Sequence, residues 1–207
     1  MSKLYIVGIG PGTKEYLTFK ALNTVESSEI IIGSKRALNL FEKVKTEKIY
    51  LDANNVKKCV KYGIEKVKEG FNVTILSTGD PGFSGLLKTV KSAGKNFDIE
   101  VIPGISSIQL CAARLQIPWD TADLITMHGK GLSTELLSII NNGRPTIILP
   151  NLKIEEIVRH LLEKGIDPRK KVAVCERLGY DNERLIKTSI ENLLNKNFSY
   201  MCVMVIY

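Results

Sequence analysis

Residues 73–85, Val-Thr-Ile-Leu-Ser-Thr-Gly-Asp-Pro-Gly-Phe-Ser-Gly, restrict the fold more than any other stretch of the chain. The β-branched apolar run predicts a buried strand, and the Gly-Asp-Pro-Gly turn opens its carboxyl end without bulky side chains. A small-residue helix start follows. In open α/β sheets ligands bind just outside the carboxyl ends of the strands. Asp80 is the only charge in this loop, so a ligand lying there meets one fixed carboxylate and several bare backbone groups. An ordinary strand-turn-helix connection accounts for the same residues, and the loop alone does not decide between the two.

The same alternation recurs along the chain. Leu4–Val7 predicts a first strand, followed at once by Gly8-Ile9-Gly10-Pro11-Gly12, and a helix is expected from about Tyr16 to Glu26. Glu29–Gly33 predicts a second strand and Ser34 a helix cap. Lys48–Leu51 predicts an edge-like third strand. Val56, Cys59, Val60, Gly63, Ile64 and Val67 fall on one helical face, with Gly70 as the stop. After the central strand a helix is expected over Ser84–Ser92, then a strand over Asp98–Ile102 that ends in Pro103-Gly104-Ile105-Ser106-Ser107 and a helix to Leu115.

Gln116-Ile117-Pro118-Trp119-Asp120 interrupts this pattern and marks the expected boundary between domains 1–117 and 118–207. Beyond it, strands are expected at Ala122–Met127, Thr146–Leu149, Val172–Cys175, Arg184–Thr188 and Tyr200–Tyr207. Helices are expected at Ser133–Asn141, over the face Ile154, Ile157, Val158, Leu161 and Leu162, and briefly at Ile190–Leu194. The fold class is therefore two α/β domains. The first carries a mostly parallel five-stranded sheet with helices on both faces. The second has more strands per helix, which predicts a mixed sheet.

Composition narrows the function. The chain has 207 residues, and its formal net charge of +7 comes from 29 Lys+Arg against 22 Asp+Glu. The lysines are spread over expected helix surfaces (Lys57, Lys58, Lys66, Lys68, Lys88, Lys91), with no Arg-rich or aromatic-interleaved patch of the kind that reads nucleic acid. A solvated basic surface is one reading of the charge; attraction of an anionic partner is the other. Cys59, Cys111, Cys175 and Cys202 are widely spaced in sequence and form no Cys-x-x-Cys pair, which argues against disulfides and a zinc site and for a reducing cytoplasm. The Leu4–Val7 run is too short for a signal peptide, and no segment is long enough to span a membrane.

The Gly8–Gly12 loop invites a dinucleotide-binding reading that fails in two places. Thr13 stands where the third glycine belongs, and the second strand ends Ile32-Gly33-Ser34-Lys35 without the acidic residue that holds a ribose. No P-loop is present. Three strand ends, Gly8–Gly12, Gly79–Gly85 and Pro103–Ser107, are instead loaded with small turn-forming residues. Ser106 and Ser107 lie where a helix begins; their hydroxyls and the free N–H groups there suit a carboxylate, and plain helix capping explains them equally.

In order and spacing, G-I-G-P-G, S-T-G-D-P-G-F-S-G and V-I-P-G-I-S-S-I-Q-L resemble the tetrapyrrole methylases over nearly the whole chain. The resemblance implies an S-adenosylmethionine-dependent enzyme of two α/β domains with its active site in the cleft between them. P-G-I-S-S-I-Q-L-C-A-A-R-L-Q-I-P-W-D and M-H-G-K are most similar to the branch that methylates C5 of cobalt-precorrin-7 in corrin assembly. It implies cofactor contacts at Pro11, Gly79, Asp80, Gly82, Phe83, Ser106 and Ser107, and adenine-side contacts at the strand-end residues Leu149, Pro150 and Ala173. Gly10, Pro11, Gly12 and His128 would line the trough for a polycarboxylate tetrapyrrole. It further implies S-adenosylhomocysteine as product, a homodimer and no protein-bound metal. Because the chain ends at Tyr207, C15 methylation with decarboxylation is expected of a separate partner.

A sulfonium methyl is already electrophilic, so alignment and exclusion of water suffice for transfer. This accords with a sequence that lacks Ser/His/Asp and Cys/His constellations. Loss of the meso proton calls for a weak base, and Asp80 and His128 both qualify; His160, beside Arg159, reads as surface. Two rivals stand beside this reading: a methyltransferase of the same fold acting on rRNA or a modified histidine, and a non-catalytic tetrapyrrole- or nucleotide-binding module.

Overall fold

The computed structural model describes residues 2–94, 97–128 and 135–207. The chain forms two units, Met1–Ser106 and Ser107–Tyr207. In the first, strands β1 (Leu4–Gly8), β2 (Ile30–Gly33), β3 (Glu47–Tyr50), β4 (Val73–Ser77) and β5 (Ile99–Ile102) alternate with helices α1 (Phe19–Glu26), α2 (Lys35–Asn39), α3 (Val56–Lys68) and α4 (Leu87–Ser92). The sheet order is β3-β2-β4-β1-β5 and every pairing is parallel.

That order has a directional consequence. The connections from β1 through β2 to β3 run toward one edge of the sheet, and those from β3 through β4 to β5 run toward the other. Right-handed crossovers therefore place α1 and α2 on one face and α3 and α4 on the opposite face. The packing agrees: Val7, Ile31 and Leu76 bury against Ala21, Val25, Ala37 and Phe41, while Leu4, Ile6, Ile32 and Ile75 bury against Cys59, Val60, Ile64 and Val90. Alternate residues of one strand feed opposite cores, as the two-residue period of a strand requires. The chain leaves the neighbouring strands β1 and β4 in opposite directions, and their carboxyl ends form the switch point of the sheet.

The second unit contains α5 (Ser107–Leu115), β6 (Asp123–Thr126), α6 (Glu135–Ile140), β7 (Thr146–Leu149), α7 (Ile154–Glu163), β8 (Lys171–Glu176), β9 (Arg184–Ser189) and β10 (Cys202–Ile206). Its order is β6-β7-β10-β8-β9, with β6 and β7 parallel and every other pairing antiparallel. The mixed sheet is as expected. Met204 of β10 faces Ile148 of β7 and Val174 of β8, so β6, β7 and β8 all point the same way. One face packs on α6 and α7 through Leu136, Ile140, Ile157, Val158 and Leu161.

Several boundaries differ from those expected. The unit division falls before α5, eleven residues ahead of the expected 117/118, because α5 packs on β7 and β10. Its Cys111 Sγ lies 3.1 Å from Cys175 Sγ of β8, so cysteines 64 residues apart meet in the core. The helix expected from Tyr16 is a 3-10 turn, Lys14–Tyr16, a break, and then α1, whose cap Thr18 accepts the Ala21 N–H at 3.1 Å. The helix expected from Ser84 begins only at Leu87, because Ser84 itself has φ 56° and cannot sit in a helix. The first residues of the helix expected over 133–141, and Gly129 and Lys130 of the Met-His-Gly-Lys segment, lie outside the described residues.

Candidate active site

The three small-residue loops follow β1, β4 and β5, which are neighbours in the sheet order β4-β1-β5. Their backbones touch. A Cβ on Gly8 would stand 2.5 Å from the Gly104 nitrogen, and one on Gly104 would stand 2.4 Å from the Gly79 oxygen, so neither position admits a side chain. Gly79 donates its N–H to the Gly10 oxygen at 2.7 Å, and both residues have φ near +67°, a region glycine enters without strain.

Asp80 locks this arrangement. Its Oδ1 accepts the Gly82 N–H at 2.7 Å, which closes the turn, and its Oδ2 accepts the Gly104 N–H at 3.2 Å, which ties the β4 loop to the β5 loop. Pro81 O accepts from Leu87 N at 3.1 Å and Ser77 Oγ accepts from Leu86 N at 3.2 Å, so both ends of the loop are fixed to the start of α4. Ser84 holds its left-handed backbone within this loop; such strain persists only where the surroundings impose it. Gly82 is exposed, Phe83 is half-buried, and Ser106 is buried beneath Gly79. Arg36 of α2 reaches over β4 and donates from Nη2 to Thr78 Oγ1 at 3.2 Å.

The first loop adds a residue that sequence reasoning used only to reject a dinucleotide site. Thr13 Oγ1 is buried and has no hydrogen-bond partner among the described residues. A buried hydroxyl left unpaired costs about 1–3 kcal/mol.

In the second unit, Leu149 ends β7 and Pro150, just beyond it, is buried. Ala173 is not at a strand end. It is the third residue of β8, pairs with Val205 and Lys187, and has no exposed surface. Register explains the mismatch: Val174 is level with Ile148, so the β8 residue level with Leu149 is Cys175, and the strand opens only at Glu176 and Arg177. His128 is exposed just past β6, and its N–H donates to Thr126 Oγ1 at 3.3 Å. Among the described residues no three His, Cys, Asp or Glu side chains gather in a manner suited to a metal ion.

A group carrying a sulfonium, an ammonium and a carboxylate fits the first-unit strand ends. Bare backbone lines them where a Cβ would intrude, and the Asp80 carboxylate, with about four acceptor positions, keeps capacity beyond its two backbone donors. A nearby cavity of about 420 Å³ lined by Gly82, Leu87, Lys88, Lys91 and Ser92 is less suitable, since its two lysines have the wrong sign for a sulfonium.

Comparison with known proteins gives the family. Residues 3–194 match the family model of the tetrapyrrole (corrin/porphyrin) methylases. The chain is 46% identical over 207 residues to a probable cobalt-precorrin-7 C(5)-methyltransferase of Methanocaldococcus jannaschii, covering 98% of this chain and 96% of that one. The crystal structure of a precorrin-6Y methylase from Archaeoglobus fulgidus superposes with a TM-score of 0.76 at 25% identity, over 99% of this chain and 97% of that one. A uroporphyrin-III C-methyltransferase of Thermus thermophilus, solved with S-adenosyl homocysteine, shares the fold with a TM-score of 0.80 at 20% identity, over 99% and 92% of the two chains.

Proposed function

Since the chain belongs to the tetrapyrrole (corrin/porphyrin) methylase family, we propose that it transfers a methyl group from S-adenosylmethionine to C5 of cobalt-precorrin-7. The observation that carries the site assignment is the set of three glycine-lined loops, from adjacent parallel strands, clamped by both oxygens of Asp80. S-adenosylmethionine supplies an electrophilic methyl group. What the protein must supply is alignment, a dry surface and a route for one proton.

In this reading Gly79, Asp80, Gly82, Phe83, Ser106 and Ser107 hold the methionine end and the ribose, with Pro11 beside them. Gly10, Pro11 and Gly12 form one wall of the substrate trough. Leu149 and Pro150 remain the adenine-side residues; Ala173, being covered, acts only through the strand it belongs to. Asp80 ties two strand-end loops together through its two oxygens, so we assign it a positioning role and assign His128 the meso proton. The reading carries with it a homodimer and a cytoplasmic setting. A separate protein is assigned the C15 methylation and decarboxylation, since the relative's name covers C5 alone. Among the described residues no helix is long and apolar enough to cross a membrane.

One experiment tests the function. The protein is incubated with S-adenosylmethionine labelled in its methyl group and with cobalt-precorrin-7, ribosomal RNA or no acceptor. Label in the corrinoid alone is the expected result. Label in RNA overturns the proposal, as does tetrapyrrole binding without transfer.

A further inference from the structure

The turn that leaves β8 contains an arginine with no carboxylate at ion-pair distance among the described residues. Arg177 follows the last residue of β8 and has φ 52°, a left-handed backbone that a non-glycine residue adopts only at a cost. Its N–H is taken by the Met201 oxygen at 2.8 Å, so the backbone is fixed there. Its side chain is also fixed. Nε donates to Asn182 Oδ1 at 2.7 Å, and the guanidinium carbon lies 5.7 Å from the Tyr180 ring centre. The guanidinium is thus held in one orientation at the surface, its Nε committed to the turn.

The nearby carboxylates are spoken for. Glu176 pairs with Arg184 at 2.6 Å, and Glu183 pairs with Arg114 at 2.6 Å while accepting the Gly179 N–H at 2.8 Å. Asp181 is exposed in the same turn and does not reach ion-pair distance. Among the described residues Arg177 has no anionic partner. An oriented guanidinium on a left-handed backbone, without a counter-charge among the described residues, is the arrangement expected of an anion-recognition site. Because β7 and β8 point the same way, this guanidinium stands at the sheet end that Leu149 and Pro150 also occupy.

We propose that Arg177 binds a peripheral carboxylate of the tetrapyrrole substrate and so contributes to selecting that substrate. The inference rests on the methylase reading above. It favours the macrocycle over the cofactor because the only carboxylate of S-adenosylmethionine belongs to its methionine end, which that reading assigns to the Asp80 loop of the first unit. The uncharged adenine offers Arg177 nothing to neutralise; the macrocycle offers several carboxylates.

The test uses the full chain, the free-acid macrocycle and its methyl ester. Arg177→Gln is expected to raise KM for the free acid about tenfold or more, the worth of one charge-assisted hydrogen bond, with kcat and S-adenosylhomocysteine affinity within about twofold of the parent. On the ester, parent and variant should have equal KM, which a merely structural residue would not produce. Arg177→Gly gives a second reading. Glycine accepts φ 52°, so its thermal midpoint should match or exceed the parent's while KM rises as in the glutamine variant. An unchanged KM on the free acid in a parent that does methylate the macrocycle overturns this inference alone. A parallel loss of S-adenosylhomocysteine affinity also overturns it and makes the cofactor carboxylate the partner. A parent that methylates no corrinoid removes the functional reading and this inference together.

Discussion

Asp80 is a carboxylate whose two oxygens each receive a backbone N–H from a different strand-end loop. Asp80→Asn keeps one acceptor but turns an NH2 group toward a donor, so one of the two pairs, the exposed one to Gly82 or the partly buried one to Gly104, becomes donor against donor. The expected cost is about 1–3 kcal/mol in a denaturant titration, together with weaker S-adenosylhomocysteine binding by calorimetry. A variant with intact affinity and stability but collapsed kcat would instead identify Asp80 as the proton acceptor. Thr13 makes the opposite prediction for stability. Thr13→Val removes an orphaned hydroxyl at nearly constant volume, so the protein should gain up to about 1 kcal/mol in the same titration. The Gly-Asp-Pro loop was legible in the sequence because glycine and proline are visible wherever the backbone turns. The Asp80 clamp was not, since its second donor, Gly104, becomes its neighbour only once strand order is known. Arg177 was invisible for a related reason: a positive φ leaves no trace in the sequence when the residue bearing it is not glycine.

At the level of elements, α5 is the helix most changed by seeing the structure. Its apolar face and its start at Ser107 could be read from the sequence, but not which sheet it covers, and the Pro118 segment drew the boundary to the wrong end of the helix. Arg114 of α5 holds Glu183 of the β8–β9 turn at 2.6 Å. Burial pushes the Glu183 carboxyl upward, but the Arg114 hydrogen bond and charge and the Gly179 N–H outweigh it and leave it below its ordinary value. A carboxyl lowered on folding stabilises the native state above its unfolded value, near 4.5, and loses that contribution as pH falls through the lower folded value. Glu183→Gln should therefore flatten the acid side of the stability-pH profile below about pH 5, by no more than about 1 kcal/mol because the pair is partly exposed to solvent. Chemical denaturation at stepped pH checks both the sign and the window. A thiol of the second unit complements this: burial, with the Glu176 charge behind it, pushes the Cys202 thiol up to about 12, so it stays a neutral core side chain around neutral pH.

For the whole molecule, the net charge of +7 acquires a use once the substrate is a polycarboxylate. Steering of an anion by a diffuse positive field is screened over roughly 10 Å at 0.1 M salt. Initial rates should show kcat/KM for the macrocycle falling several-fold between about 0.02 and 0.2 M salt, with S-adenosylhomocysteine affinity changing far less. Salt-independent kcat/KM would return the lysines to the role of a solvated surface. Two α/β domains, one with a parallel sheet and one mixed, were legible because doubly buried strands such as Ile30–Gly33 read as unbroken apolar runs. Strand order was not, because periodicity reports which face is buried and not which neighbour a strand takes.

The backbone contact among Gly8, Gly79 and Gly104 also bears on how the protein matures. These residues come from the first, fourth and fifth strands to be synthesised in their unit, and β5 must close over β1 across most of that unit's length. Such long-range pairing is entropically late. A nascent chain that has not yet released Gly104 already carries the Gly-Asp-Pro turn but lacks the second anchor for its carboxylate, so no partial binding site precedes the finished sheet. Ligand affinity and completion of the first unit then emerge in a single step, and a ligand that binds only the native form adds its own stabilisation to that step.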